Sequence, residues 1–308
     1  MAETLAGDAP RAPHPLSDPR VLVPLSMGAL YLIWGSTYLG IRFALESYPP
    51  FLLAGLRFFG AGTVFYAFLR LRGMAAPTAL QWRNAAFTSV LLLGLGNGLV
   101  CYAEQDVGSG IAAVAVASMP LFAALFTGMY GEWPNVRETI GLVIGFSGVV
   151  VLNLGSSLSG SRLGALALLV AAASWALGSA WSRRREMPPG PMNTAAQMLC
   201  GSAVLLVFSL LGGEHLPAHP TLRSTLAIVY LAVFGSIIAF SAYLYVLKRA
   251  RPSLATSYAY VNPPVAVLLG VLLAGEHIGP IDLLGMAVIV AGVVVITLTK
   301  PKRAARNT

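Results

Sequence analysis

The chain alternates long apolar blocks with short polar loops. A helix that crosses the roughly 30 Å hydrocarbon core of a bilayer needs about 20 apolar residues, because each residue advances the helix by about 1.5 Å. Ten blocks meet this requirement, so the pattern predicts ten transmembrane helices. Their limits are 22–44, 50–70, 85–104, 109–131, 138–155, 163–182, 192–212, 224–246, 253–275 and 279–299.

Composition supports a protein that is embedded in a lipid bilayer. Hydrophobic residues make up 56% of the chain and charged residues only 10%, whereas soluble domains carry about 25% charged residues. The formal net charge of +8 would suggest nucleic acid as a partner of a soluble protein. Here the basic residues lie between the apolar blocks, so we interpret them as topology signals and expect no nucleic-acid partner.

The basic residues also predict how the helices are oriented. Sixteen of the 20 Lys and Arg residues lie in the two tails and the even-numbered loops, while Arg42, Arg162 and Arg223 lie on the opposite side. The positive-inside rule then places both termini in the cytoplasm. We expect a multi-pass protein of the bacterial inner (cytoplasmic) membrane, with residues 1–20 as a disordered cytoplasmic tail and 300–308 as a basic one.

The chain contains an internal repeat. Residues 109–154 and 253–298 align without a gap, and prolines, Gly-Glu pairs and Gly-Val runs coincide. Each copy, 22–155 and 162–299, would hold five helices, and an odd number forces the second copy to enter the membrane upside down. Inverted repeats are a transporter architecture. The predicted fold is therefore all-α, with two inverted five-helix repeats around a central cavity.

Six segments of the chain share the pattern of a known family. They are 33–47 (IWGSTYLGIRFALES), 49–62, 96–105, 109–122, 234–246 and 253–270 (SLATSYAYVNPPVAVLLG). Together they resemble the EamA family of the drug/metabolite transporter superfamily, in particular its YedA-type inner-membrane exporters. The resemblance implies two EamA repeats, a cavity that opens alternately to the two sides of the membrane, and export of amino acids, metabolites or drugs.

Aromatic and hydroxyl residues cluster at the middle of the first, sixth and ninth predicted helices. Aromatic walls with a few polar groups suit an amphipathic small molecule. Alternatively, the hydroxyls bond neighbouring helices and the tryptophans face lipid. The candidate cavity residues are Trp34, Ser36, Thr37, Arg57, Asn97, Tyr102, Ser174, Trp175, Tyr258, Tyr260 and Asn262.

Within the predicted membrane region, Arg57 is the residue whose transfer from water into the bilayer costs the most free energy. It lies about seven residues, or roughly 10 Å, below the outer end of the second helix. A charge at that depth needs a partner and marks a functional site by default. Glu104 is the first candidate partner and Asp106 the second. Arg57 is then an outer gate, an anion-binding group for a substrate carboxylate, a structural ion pair with Glu104, or a side chain that reaches to the interface. Glu104 is also a candidate carrier of a coupling proton.

Prolines predict bends near the centre of two helices. Pro120, Pro263 and Pro264 lie about eleven residues into the fourth and ninth helices. Each proline frees a backbone carbonyl, which in lipid should face a cavity or a polar neighbour. The fifth and tenth helices carry glycine faces that allow close packing. We interpret these two helices as scaffold or as a dimer contact, which leaves a monomer and a homodimer open.

The sequence favours a secondary active transporter that exports small amphipathic metabolites, amino acids or drugs. No nucleotide-binding motif is present, and a proton gradient is the candidate energy source. The four histidines lie in tails or loops and no carboxylate lies at mid-membrane, so we expect no enzyme and no catalytic residue. No cluster has metal-ligand spacing, and no metal or cofactor is expected. An importer of the same fold and a non-transporting membrane sensor remain the alternatives.

Overall fold

A computed structural model describes residues 18–106, 116–153, 162–274 and 279–299. Within these ranges all regular structure is helical. A four-residue helical turn, Pro252–Ala255, precedes α9. The helices are α1 Pro19–Leu45, α2 Pro50–Leu71, α3 Ala79–Ala103, α4 Met119–Gly128, α5 Val136–Asn153, α6 Arg162–Ser182, α7 Pro191–Leu211, α8 Leu222–Arg249, α9 Tyr258–Ala274 and α10 Pro280–Leu298.

Six of these helices, α1, α2, α3, α6, α7 and α8, are long and apolar enough to cross a membrane. Helix α4 and the segment Leu283–Leu298 of α10 are apolar but shorter. The all-helical membrane fold is therefore observed in the described residues, and the count of ten spans stays a prediction. Helix α1 begins at Pro19 with Asp18 as its N-cap, so residues 19 and 20 belong to a helix and not to the expected tail. Residues 1–17 and 300–308 of the two predicted tails lie outside the described ranges, and so do 107–115, 154–161 and 275–278.

Three of the long helices contain a π-helical segment near their middle. In a π turn each amide bonds the carbonyl five residues back, which widens the helix and is often found at functional sites. The pattern of hydrophobic residues along the chain does not predict these π-helical segments. They are Leu30–Trp34 in α1, Val90–Asn97 in α3 and Leu231–Ile238 in α8.

Helices α5 and α10 pack against each other through their glycine faces. A Cβ on Gly292 would lie 2.4 Å from the backbone nitrogen of Gly145, and a Cβ on Gly148 would lie 2.6 Å from that of Ile289. The backbones of the two helices are therefore in direct contact. The glycine faces are therefore filled within the chain, as expected for a scaffold, and a dimer contact through other faces of α5 and α10 stays a prediction. Helices α2 and α7 also pack on each other, with Gly55 against Leu206.

Ion pairs join separate helices at the end of the bundle where α6 and α8 finish. Arg184 pairs with Glu132 at 2.7 Å. Arg251 pairs with Glu138 at the start of α5, and Ser253 donates to the same carboxylate at 2.8 Å. The Glu138 side chain is buried, whereas Glu132 is 41% exposed. Because exposed pairs contribute little and breaking a buried pair is costly, the Glu138 contacts contribute most to holding the helices together at this end.

We expect Gly292→Ala to destabilise the protein strongly, because the added methyl would collide with the α5 backbone at Gly145 and the two helices would have to separate. Gly60→Ala is the matched control, since Gly60 lies on an exposed face of α2 with no atom within 4 Å of the added group. Thermal unfolding in detergent should show a melting temperature several degrees lower for Gly292→Ala and unchanged or slightly higher for Gly60→Ala. Equal melting temperatures would contradict the tight α5–α10 contact.

Candidate functional site

A cavity of about 720 Å³, a volume that includes its open side, lies between α1, α2, α3, α4, α6, α8 and α9. Seven of the eleven residues that the sequence nominated line it. Tyr38, which belongs to the aromatic and hydroxyl cluster of the first helix, and the rings of Phe58 and Phe240, which the sequence did not nominate, complete its walls. The nominated lining residues are Trp34, Thr37, Arg57, Asn97, Trp175, Tyr258 and Asn262.

Tyr260 does not line this cavity, although Tyr258 does. Residues two apart on a helix point to opposite sides, since each residue turns the helix by about 100°. The Tyr260 side chain is fully buried between α9 and α5. Its hydroxyl donates to the carbonyl of Leu142 at 3.0 Å, and its ring packs on Gly145. Tyr260 therefore fixes the scaffold in this structure.

Three other nominated side chains also lie outside the cavity lining. The Ser36 hydroxyl lies 2.5 Å from the Tyr230 hydroxyl. Ser174 donates to the carbonyl of Leu91 at 2.9 Å, and Tyr102 stacks on an aromatic ring of α2. In each case a neighbouring helix supplies the partner, as expected for interhelical contacts in a membrane protein.

Four aromatic side chains form an aromatic wall on one side of the cavity: Trp34, Trp175, Tyr243 and Tyr258. The Trp34 ring lies 4.6 Å from Tyr258, 5.3 Å from Tyr243 and 5.5 Å from Trp175, measured between centroids. Tyr243 is fully buried and lies 5.5 Å from Trp175 and 5.7 Å from Tyr258. Edge-to-face pairs are worth about 0.5–1.5 kcal/mol each beyond their buried area, so the wall is held rigidly.

All three π-helical segments reach the cavity, through Trp34, Asn97 and Gly235. The Trp34 indole donates to the carbonyl of Gly235 at 3.1 Å and so ties the segments of α1 and α8 together. The Ser236 hydroxyl donates to the carbonyl of Leu231 at 3.0 Å. Polar side chains thus satisfy carbonyls of the π segments, which in lipid would otherwise be costly. The sequence gives only a weak indication of these π-helical segments, namely a Gly-Ser pair at 235–236 and closely spaced glycines at 94–98.

Arg57 lies in the cavity with one edge of its guanidinium unoccupied. The residue is 4% exposed, its Nε donates to the Ser236 hydroxyl at 3.1 Å, and its guanidinium lies 4.4 Å from the centre of the Phe58 ring. Its Nη1 is buried and has no hydrogen-bond partner among the described residues. Of the described residues that line the cavity, Arg57 is the one that carries a charge.

The pair suggested for Arg57 and Glu104 is not formed in this structure. Glu104 follows the last turn of α3, and within the described residues no ion pair of 4 Å or less joins it to Arg57. The two side chains are close enough to interact electrostatically. Glu104 Oε1 is itself buried without a hydrogen-bond partner in the described part of the chain. Asp106 is exposed.

Asn262 offers a second polar atom that has no partner. Its side chain is 3% exposed and lines the cavity. Its Oδ1 accepts no hydrogen bond from any described residue. More than about 90% of buried polar groups in proteins are hydrogen-bonded. A buried donor on Arg57 and a buried acceptor on Asn262, both in one cavity, are therefore a configuration that a bound molecule would complete.

One of the three prolines lies at the start of a helix near the cavity, and the other two lie inside one. Pro120 lies in the first turn of α4, directly after a turn at 117–118. Pro263 and Pro264 lie inside α9, one and two residues beyond Asn262. Pro120 therefore begins a helix in this structure, and a bend at Pro263 and Pro264 stays a prediction.

The fold and the site indicate a polytopic membrane protein with a cavity between its helices. A profile of the EamA-like transporter family matches residues 25–154 and 162–298. The chain therefore belongs to the EamA-like transporter family, and the resemblance inferred from the sequence is confirmed. The two matched stretches contribute α1–α4 and α6, α8 and α9, respectively, to the cavity.

Similar proteins are also named as transporters. The uncharacterized inner membrane transporter YedA of Escherichia coli (strain K12) is 49% identical over 284 residues, covering 91% of this chain and 93% of its own. The uncharacterized transporter YoaV of Bacillus subtilis (strain 168) is 28% identical, covering 92% and 99%. A protein of known crystal structure superposes with a TM-score of 0.75 at 25% identity, covering 90% of this chain and 96% of that one. These likenesses indicate a membrane transporter and not an enzyme.

Accessibility to a water-soluble thiol reagent tests the cavity. In a background where Cys101 and Cys200 are alanine, we expect Asn97→Cys to react with an anionic methanethiosulfonate, because Asn97 lines the open cavity. Thr88→Cys is the control on the same helix, since Thr88 is fully buried and bonds its own helix at the Asn84 carbonyl. Mass spectrometry of the intact protein measures the modification. Equal labelling of both positions would argue against a discrete cavity.

Proposed function

We propose that the chain is a secondary active transporter that exports small amphipathic molecules by alternating access. The observation that carries this proposal is the cavity itself, because its lining is shared between helices of the two family-matched stretches. Movement of one stretch against the other would change access to such a cavity, which is how transporters built from repeats work. The aromatic wall, together with a few polar groups, suits a substrate with an apolar body and a polar end.

The proposed architecture has ten spans in two inverted five-helix repeats, 22–155 and 162–299, with both termini in the cytoplasm. Two packing pairs support it, since α2 packs on α7 and α5 on α10. Under the repeat, each pair joins helices that occupy the same place in the two copies. A pseudo-twofold axis in the membrane plane would bring such helices together.

In this orientation the end of the bundle that carries the Arg184 and Arg251 ion pairs faces the cytoplasm. The pairs Arg184–Glu132 and Arg251–Glu138 each join residues of different repeats there. Arg183 donates to the carbonyls of Leu247 and Ala250, the latter at 3.0 Å. We propose that these contacts form a cytoplasmic gate that must open before a substrate enters from the cell interior.

Direction, coupling and transport itself are three separate parts of the proposal. Uptake by the same fold would use the same cavity, because the gradient and not the orientation sets direction. Coupling to a proton gradient would involve Glu104, whose buried Oε1 has no partner in the described structure. A non-transporting sensor would bind a ligand in the cavity and move nothing across the membrane.

A screen of metabolites and drugs in inside-out membrane vesicles tests transport, direction and coupling together. We expect accumulation of at least one amphipathic compound inside such vesicles, with its dependence on an imposed proton gradient as the readout of coupling. Accumulation only in right-side-out vesicles would identify an importer. Binding without flux in either orientation would favour a sensor.

Two tryptophans on α6 provide a matched pair for the same assay. Trp175 lines the cavity and belongs to the aromatic wall. Trp181, six residues further along the helix, packs against Phe87 with the two rings tilted by 47° and is not among the lining residues. We expect Trp175→Ala to reduce transport about tenfold or more and Trp181→Ala to leave it within about twofold, by analogy with the loss on truncating a buried aromatic anchor. Equal losses in both variants at equal expression would place the transport path elsewhere.

A further inference from the structure

We infer that the cavity binds a monovalent organic anion with a planar, aromatic body, and that Arg57 pairs with its anionic group. This inference rests on the proposed transport function and names the class of substrate. The observations behind it are an unoccupied cationic edge, an unoccupied acceptor and an aromatic wall, all in one cavity.

The Arg57 guanidinium is buried and lacks one of its hydrogen-bond partners. Burying a guanidinium in a low-dielectric interior is costly unless an opposite charge and hydrogen bonds compensate for it. The structure supplies part of this compensation: Ser236 accepts from Nε, and the Phe58 ring covers one face. The Nη1 edge is left open, with no partner among the described residues. The residue is only 4% exposed, so solvent cannot readily supply the missing partner, and the hydrogen bonding of Nη1 is satisfied only when an acceptor binds.

The charge balance of the cavity selects the ligand. Arg57 is the charged group among the described lining residues, and no described carboxylate oxygen lies within 4 Å of it. Glu104 interacts with it electrostatically but is not part of the lining and leaves Nη1 without a hydrogen-bond partner. A cation would be repelled by Arg57 at low dielectric, while a carboxylate or sulfonate would satisfy Nη1. Because guanidinium groups bind such anions through paired N–H donors, Arg57 suits this role better than a lysine would.

The shape of the walls selects the rest of the molecule. Trp34, Trp175 and Tyr258 expose ring surface to the cavity from three helices. Rings packed edge to face, with centroids 4.6–5.5 Å apart, leave flat and rigid surfaces on which another ring can pack. Asn262 Oδ1 is an acceptor in the same cavity, so a hydroxyl or amino group on the ligand would gain a partner there.

Calorimetric titration of the full-length protein in nanodiscs of zwitterionic lipid tests the inference with four probes of similar size. They are 2-naphthoate, neutral 2-naphthamide, cationic (2-naphthylmethyl)trimethylammonium and the saturated decalin-2-carboxylate, with empty nanodiscs as the blank. We expect 2-naphthoate to bind at least about tenfold more tightly than the amide, as a hydrogen bond to a charged group implies. The cation should bind most weakly, and the saturated anion more weakly than 2-naphthoate. Equal affinity for naphthoate and naphthamide, a preference for the cation, or no binding of 2-naphthoate would overturn the inference.

Variants then assign the effect to Arg57. Arg57→Gln should weaken 2-naphthoate about tenfold or more and leave 2-naphthamide nearly unchanged, while Arg57→Lys should give an intermediate affinity. Arg42→Gln is the matched control, because Arg42 is an exposed arginine in the last turn of α1 outside the cavity. Unchanged naphthoate binding by folded Arg57→Gln would contradict the assignment. If that variant fails to fold, the comparison of the four probes on the unaltered protein still decides the question.

The outcomes separate this inference from the proposed function. Flux of neutral or cationic solutes in vesicles, without selective binding of the aromatic anion, would overturn the anion site and leave the transporter proposal standing. Selective anion binding that depends on Arg57, without flux of any compound, would support the site and overturn the transporter proposal.

Discussion

The structure depends on one constraint: inside a lipid bilayer, every backbone N–H and C=O must find a partner within the protein. Helices satisfy most of these groups, but the three π-helical segments disturb the pattern at mid-membrane. Side chains then take over, as when the Trp34 indole donates to the Gly235 carbonyl and Ser174 to the Leu91 carbonyl. The same bonds that repair the backbone link the helices around the cavity, so the widened segments and the site are one structural unit.

Close packing supports this unit from the side. The glycines of α5 and α10 bring two backbones into contact, and Tyr260 fills the groove beside Gly145 while bonding Leu142. Helix α9 therefore presents Tyr258 and Asn262 to the cavity from a fixed position. The α5–α10 pair is rigid, whereas polar contacts such as Arg251–Glu138 join helices at one end of the bundle. Such an arrangement allows one part of a bundle to move while another keeps its shape.

The long apolar blocks predicted the helices well. A helix that spans a bilayer needs about 20 apolar residues in a row, and such a run can be recognised without any helical periodicity. Trp34, Trp175, Tyr258 and Asn262 could be nominated for the site because polar and aromatic residues at mid-membrane are few. The direction in which the Tyr260 side chain points was not predictable, because it depends on how α9 is rotated about its own axis against α5. The bond from Arg57 to Ser236 escaped prediction for a similar reason: it joins helices 179 residues apart in sequence, and a serine in an apolar helix has many uses.

The buried charge on Arg57 also has an electrical consequence. The guanidinium stays with the protein, so a carrier that releases a monovalent anion to the outside moves one net negative charge across the membrane. An inside-negative membrane potential favours that movement by about 2.3 kcal/mol per 100 mV. This corresponds to an outward concentration ratio of roughly 50 at 100 mV. On this assignment the membrane potential would by itself favour export of the anion, provided that no proton travels with it.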